Sequence, residues 1–354
     1  MFKHSNLVLC LLASGLAAIS SNAYSNPNHN TTQAITHAPI GVMGDHLHAK
    51  GEFMFSYRLM NMEMSGNLQG SDSISDDEIV TSIAAPNSAM DLVRVVPQEM
   101  TTQMHMLGFM YAPTDSVTLM AMLNYIDNQM TLTTYQGMMG TTILGNFETA
   151  SSGLGDSKLS MLYSLVDSPD HKFHLNLSWI IPTGSIEETD EVLTPMDMTM
   201  SMRLPYAMQL GSGSHKGEFG LTYNGIHQNI SWGAQGLYST ALSDNDEDYE
   251  WGKKVQLTAW ANYGFSDAIS ATGRLSYTKS QAISGEDENL TAPVTTANPA
   301  NYGGTSFDLA LGLNTVIANK HRVAIEYQIP ISQDVSGVQM EMDSMFTIGY
   351  QLAF

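Results

Sequence analysis

The chain has 354 residues, of which 35 are Asp or Glu and 14 are Lys or Arg, giving a formal charge of −21. That balance excludes nucleic acid as a partner, because almost nothing is left to neutralise phosphates. The single cysteine, Cys10, excludes a disulfide framework.

From the N-terminus, Lys3 and His4 precede the apolar run Asn6 to Ile19, and Ser21-Asn22-Ala23 places small residues at a cleavage site. This reads as a secretory signal peptide over 1–23, too short to span a bilayer as a helix. Cys10 would leave with it. Residues 24–49 read as a periplasmic N-terminal segment, a solvated tether carrying His29, His37 and the run Asp45-His46-Leu47-His48. Beyond it no stretch approaches the roughly 18 apolar residues of a membrane helix.

From residue 50 onward, apolar residues alternate with polar or small ones, the period of a strand with two unlike faces. Twelve such strands are predicted, near 50–64, 99–112, 116–128, 154–166, 171–182, 215–224, 229–241, 251–264, 268–279, 304–316, 320–331 and 344–354. In the last, Phe346, Ile348, Tyr350, Leu352 and Phe354 share one parity. A terminal alternating strand ending in Phe resembles the terminal signal of bacterial outer-membrane barrels. Outward faces include Phe53, Phe55, Tyr57 and Leu59, and Phe173, Leu175, Leu177 and Trp179. The opposite parity carries Arg58, Lys158, His174, Asn176, Arg274, Asp308, Arg322 and Glu326, which cannot face lipid and are predicted to line a lumen.

Connections after the even-numbered strands are short, as at Pro113-Thr114-Asp115 and Phe265 to Asp267. Those after odd-numbered strands include long ones at 65–98, 129–153, 183–214 and 280–303. Sorting of loop lengths by parity fits an all-β, transmembrane, antiparallel up-and-down barrel of about 12 strands over 50–354, and does not fit a soluble sandwich. The outer membrane is then the expected location, with the barrel-assembly machinery as a partner during biogenesis. The long loops hold acidic runs (Ser71 to Glu78, Glu187 to Glu191, Asp244 to Glu250 and Glu286-Asp287-Glu288) without the spacing of a calcium loop. They read as solvated loops bridged by divalent ions to lipopolysaccharide.

Five segments, Pro39 to His48 (PIGVMGDHLH), Ser152 to Ser160 (SGLGDSKLS), Ile180 to Ile186 (IIPTGSI), Leu204 to Ser214 (LPYAMQLGSGS) and Gly349 to Phe354 (GYQLAF), follow one another along the chain. Their arrangement resembles the outer-membrane transporter-like family named after the meta-pathway of phenol degradation. The likeness covers nearly the whole mature chain. It implies a barrel for passage of small, often hydrophobic, molecules, and says nothing about which one.

Methionine is the oddity, at 25 residues. Met54, Met60, Met62 and Met64, then Met100, Met104, Met106 and Met110, then Met120 and Met122 all fall on the inward parity. If Pro113-Thr114-Asp115 sets the register, Met106 faces Met122, with Met104 and Met120 diagonal to them. Met196, Met198, Met200 and Met202 alternate in the loop after the fifth strand and are expected to fold inward as a partial plug. Met340 and Met342 lie before the last strand. Thioethers select Cu(I) or Ag(I), so Met60, Met62, Met64, Met104, Met106 and Met122, with Asp45, His46 and His48, form a candidate soft-metal set. The alternative use of the same residues is as flexible packing or a greasy lining.

No nucleophile elbow, zinc-protease motif, P-loop or dinucleotide fingerprint is present, and the outer faces show no Ser/His pair of the lipase-barrel kind. The expected function is therefore non-enzymatic and needs no resident cofactor. The leading expectation is a porin-like barrel passing small solutes; the alternative is copper or silver handling.

Overall fold

The computed structural model describes residues 33–85, 88 and 91–354. The expected signal peptide and the beginning of the N-terminal segment lie outside them. The barrel is built from β1 (Phe53–Gly70), β2 (Val95–Thr114), β3 (Val117–Tyr135), β4 (Ile143–Leu154), β5 (Ser157–Asp167), β6 (His171–Ile181), β7 (Lys216–His227), β8 (Ile230–Ala241), β9 (Lys254–Ser266), β10 (Ile269–Ser280), β11 (Gly304–Ile317) and β12 (His321–Ala353). Neighbours pair antiparallel all the way round, and β12 pairs back onto β1. Closure leaves no strand edge inside lipid.

The last element makes two crossings. Residues 321–335 pair with β11 and residues 335–353 with β1. The chain reverses at Ser336-Gly337, where Gly337 has φ +67°, a conformation open to glycine. Counted this way the wall has twelve arms. β4 adds no arm, because it pairs with the upper part of β3 (Tyr125↔Leu154 to Tyr135↔Ile143) while β5 takes the lower part (Met122↔Lys158 to Val117↔Tyr163). The two lie along one line, broken at Gly155-Asp156.

Segment 129–153 was expected as a loop; instead β3 continues to Tyr135 and β4 covers 143–154. Beyond the membrane both faces of such a ribbon meet polar surroundings, so Thr149, Ser151 and Gly153 show little period-2 contrast. β1, β2 and β3, at 18, 20 and 19 residues, all outrun the roughly 9–11 residues that cross a bilayer.

The outward positions are large and apolar: Phe109, Leu119, Leu123, Leu159, Leu257, Leu311 and Tyr327 are all exposed on the wall. Such a belt is stable only against lipid. Near the short turns an aromatic cluster joins the barrel ends: Phe53 stacks on Tyr111 at 4.5 Å and on Phe354 at 6.1 Å. Phe53 and Phe354 also exchange both backbone hydrogen bonds.

The long loops pack into a cap. Leu204, Tyr206, Met208, Tyr249, Leu290, Val294 and Ala297 are buried there over Met100, Met130 and Leu132 of the wall. Burial pushes the phenols of Tyr206 and Tyr249 above their ordinary pKa. Cations tie the loops together: Arg203 donates to Ile186 O at 2.8 Å, Glu247 Oε1 at 3.1 Å and Asp287 Oδ2 at 3.3 Å. Arg94 donates to the carbonyls of Val80, Gln136, Gly137 and Gly140. The acidic run after β1 contains a short helix, Asp76–Ser82, whose first turn holds Asp76, Asp77 and Glu78 with Ser75 accepting from Glu78 N. Carboxylates there favour the helix N-terminus.

Three of the motif segments meet at one carboxylate. Asp156 accepts from Gly184 N at 3.3 Å, Ser212 N at 3.0 Å and Ser212 Oγ at 2.6 Å. Gly184 and Gly211 approach so closely that a Cβ on Gly211 would lie 2.5 Å from Gly184 O. Asp156→Ala is expected to lower the unfolding free energy by about 3 kcal/mol, since hydrogen bonds to a charged acceptor are each worth about 1.5–3. An earlier urea midpoint in the gel-mobility assay of barrel folding would show it.

Candidate functional site in the barrel lumen

The short-turn half of the lumen is filled by residues 34–48. The segment was read as a solvated tether; its described part runs inside the wall. It enters beside the β9–β10 turn, where Ala34 N donates to Asp267 O at 2.8 Å. It crosses the lumen, turns at Gly44 (φ +64°), and leaves beside β3, where His48 N donates to Thr118 Oγ1 at 3.0 Å.

Its backbone carbonyls are held by the polar wall. Ser270 and Ser231 donate to Ala34 O and Ile35 O. Asn262 and Asn314 share His37 O, and Arg322 reaches Ala38 O. Gln235 takes Met43 O, His174 and Asn176 take Gly44 O, and Asn224 takes Asp45 O. These are the buried donors that an open chain inside a barrel requires.

The plug's side chains face other neighbours. Met43 and Leu47 pack on a cluster of Met54, Met106, Met110, Met120, Met122 and Leu162, with Met60 and Met104 beside it. Ala38 and Val42 lie on Trp260. Ile40 meets Gly349, where a Cβ would come within 2.7 Å of it. The lumen therefore has two unlike sides: methionine dominates β1 to β3, with Arg58, Asn124 and Asn128 among it, and charge and amide dominate β5 to β12.

Among the charged residues, Lys158 pairs with Glu218 at 2.5 Å. Arg274 makes a two-pronged contact with Glu326, Nε to Oε2 at 3.1 Å and Nη2 to Oε1 at 2.6 Å, and a third bond to Gln328. Asp308 accepts from Ser276 and Ser306. Arg322 bonds Gln351 and Asn314. Arg58 is buried opposite Met106 and Gly349. Asn176 is shared between the plug and Thr222. Between the plug's turn and the wall lies a cavity of about 220 Å³ bounded by Gly41–Gly44, Met120, Lys158, Glu218, Lys254, Gln256 and Thr258.

The methionine register differs from expectation. Met110 faces Met120 and Met122 faces Gly108, while Met106 faces Asn124. The chain turns at Asp115-Ser116, with Thr114 opposite Val117, later than the expected Pro113-Thr114-Asp115 connection, and the ladder shifts between Tyr111 and Thr114, where Pro113 has no N–H to give. Across the other edge Met60 faces Met104 and Met54 faces Met110. The proposed relay is divided. Met60, Met104, Met106 and Met122 share the plug cluster, Met64 packs with Met100 and Met130 under the cap, and Met62 joins neither. The loop methionines do not fold inward as expected: Met196, Met198 and Met200 are exposed on the hairpin of Thr189–Leu193 with Thr199–Arg203, and only Met202 touches the cap. That hairpin alternates because it is a ribbon in solvent. Met340 and Met342 belong to the final arm, opposite Asn67 and Met64.

Asp45, His46 and His48 sit at the neck of the plug. His46 Nδ1 is 2.9 Å from Asp45 Oδ1, and Ala38 N donates to Asp45 Oδ2 at 3.1 Å. His37, named in the sequence among the segment's imidazoles but not in the candidate metal set, completes a group with Asp45 and His46 whose ligand atoms lie within 4.8 Å of one another. On the outer face His105 Nδ1 meets Tyr57 OH at 2.7 Å.

No protein-family model and no curated protein matches the sequence. Among solved structures, the COG4313 outer membrane channel from Pseudomonas putida F1 aligns over 89% of this chain and 100% of its own, with TM-score 0.59 and 13% identity. The TodX monoaromatic hydrocarbon channel (deltaS2 mutant) covers 90% and 93% at TM-score 0.46 and 10% identity. The β domain of the Bordetella autotransporter BrkA covers 86% and 100% at 0.45 and 8%. The last two are too distant in shape to carry an argument. The first shows that this chain has the fold of an outer-membrane channel.

Proposed function

We propose that the protein is an outer-membrane channel for small solutes, apolar ones included, whose path is closed at rest by its own N-terminal segment. The observation that carries this reading is the plug itself: a strand-free segment held to the wall by side-chain hydrogen bonds, with a cavity between its turn and the wall. A barrel needed only as a scaffold has no use for a lumen filled by a separable piece of chain. The fold shared with an outer membrane channel supports the reading, as does the motif resemblance to a transporter-like barrel family.

The methionine side offers an adaptable apolar surface, and the Lys158, Glu218 and Lys254 side meets polar groups. The long-loop end would face lipopolysaccharide and the short-turn end the periplasm, from which a solute or a partner reaches the plug. Lys158→Glu with Lys254→Glu is expected to shift the reversal potential under a salt gradient toward cation selectivity. Measured in planar bilayers on a chain lacking residues 33–48, an unchanged potential would remove this cavity from the path.

A further inference from the structure

We infer that His37, Asp45 and His46 form a site for one borderline divalent transition-metal ion, of the Zn²⁺ or Co²⁺ kind, that latches the neck of the plug. The site stands on geometry that does not depend on what the channel carries. The ligand atoms of the three residues lie mutually within 4.8 Å. They come from the two arms of the plug, His37 before its turn at Gly44 and Asp45-His46 after it. The His37 and His46 rings are 5.4 Å apart and nearly perpendicular. His48 stands on the same side as the second member of an alternating pair, its ring 4.9 Å from that of His46.

A second observation points to a ligand. His37, His46 and His48 line a small pocket of about 20 Å³, beside Met54, His321 and Arg322, that reaches the exposed β11–β12 turn at Asn319 and Lys320. That is room for one water-sized species. His48 is 2% exposed, and neither its Nε2 nor that of His46 has a hydrogen-bond partner among the described residues. Buried imidazole nitrogens are seldom left so, because each costs the desolvation of a polar group. A metal ion supplies the missing partner.

The donor set chooses the class. Two imidazoles with one carboxylate suit zinc-like ions, with a further position open to His48 or water. Calcium and magnesium want oxygen ligands in larger number. Cu(I) would draw on Met54, the only thioether lining the pocket. Arg322, Lys320 and Arg58 are the opposing charges; the Arg322 guanidinium is turned to Ala38 O, Asn314 and Gln351, and the Asp45 carboxylate partly offsets them. Binding would tie residue 37 to residues 45 and 46 and so fasten a loop that Ala38 N and Asp45 already close. The latch role rests on the gating reading above; the binding itself does not.

The test is titration of the full chain, folded in detergent, with Zn²⁺ by calorimetry and with Co²⁺ by its ligand-field absorption. One equivalent should bind, with the intense visible bands of a low-coordinate Co²⁺ site. His37→Gln and His46→Gln should each weaken binding by more than about tenfold, while Met54→Leu and His29→Gln leave it unchanged. Gel mobility and β-sheet dichroism check that each variant is folded; Asp45→Asn is avoided because it also breaks the bond to Ala38. Zn²⁺ should slow amide exchange across residues 38–46. No saturable binding up to millimolar Zn²⁺, or equal binding by both His variants, would overturn the site. Binding that leaves exchange unchanged would keep the site and overturn the latch.

Discussion

Removing residues 33–48 should leave a folded barrel and raise its single-channel conductance severalfold. The wall closes on itself through β1 and β12 without help from the plug. The groups that hold the plug are side chains of His174, Asn176, Asn224, Ser231, Gln235, Asn262, Ser270, Asn314 and Arg322. Released from the plug's carbonyls they can turn to water, so no buried polar group is stranded. What is lost is apolar contact of Met43 and Leu47 with the methionine cluster and of Ala38 and Val42 with Trp260, together with the Asp45 charge that faces Arg58 and Arg322. The lumen of a twelve-armed barrel is narrow, and a chain across it leaves cavities rather than a pore. Planar-bilayer recording of the intact and shortened chains makes the comparison. Equal conductance with both barrels folded would mean that the segment does not obstruct the path.

Glu326→Ala should have the largest effect on stability of any single change in the wall, about 3–5 kcal/mol, because it strands the buried Arg274 guanidinium. The pair is 4% and 2% exposed, and the plug passes so close that a Cβ on Gly41 would collide with Glu326. Replacing both partners by leucine should recover most of the loss, since the cost lies in the unpaired charge and not in the missing contact. Urea titration followed by gel mobility reads both variants. A cost below about 1 kcal/mol for Glu326→Ala would indicate that water already reaches the guanidinium past the plug, as for a surface pair.

The wall was legible in the sequence because lipid enforces a strict contrast between its two faces. Phe346 to Phe354 alternate without a break, and the predicted arms fall on the observed ones. Contrast fails where the wall leaves the membrane, which is why β4 read as a loop. The methionine parity could be read, but the Met106–Met122 pairing could not, because the chain turns at Asp115-Ser116 and a bulge at Ala112-Pro113 shifts the ladder. The plug left the faintest trace. Its bonds to the wall run mainly through its backbone carbonyls, so its side chains carry no period. The available signal was on the other partner: amides at 176, 224, 235, 262 and 314 all face inward, and each gives a hydrogen bond to a plug carbonyl. His37 could be counted with the segment's other imidazoles, but nothing in a linear reading brings it back to Asp45 and His46.

Solute flux into vesicles tests the channel reading most directly. Liposomes loaded with the intact chain, the chain lacking residues 33–48, or no protein would be followed for uptake of a small sugar and a small aromatic alcohol. Flux should be slow with the intact chain and faster with the shortened one, and both should exceed empty vesicles. Flux no greater than empty vesicles for both solutes, with both barrels folded, would contradict it.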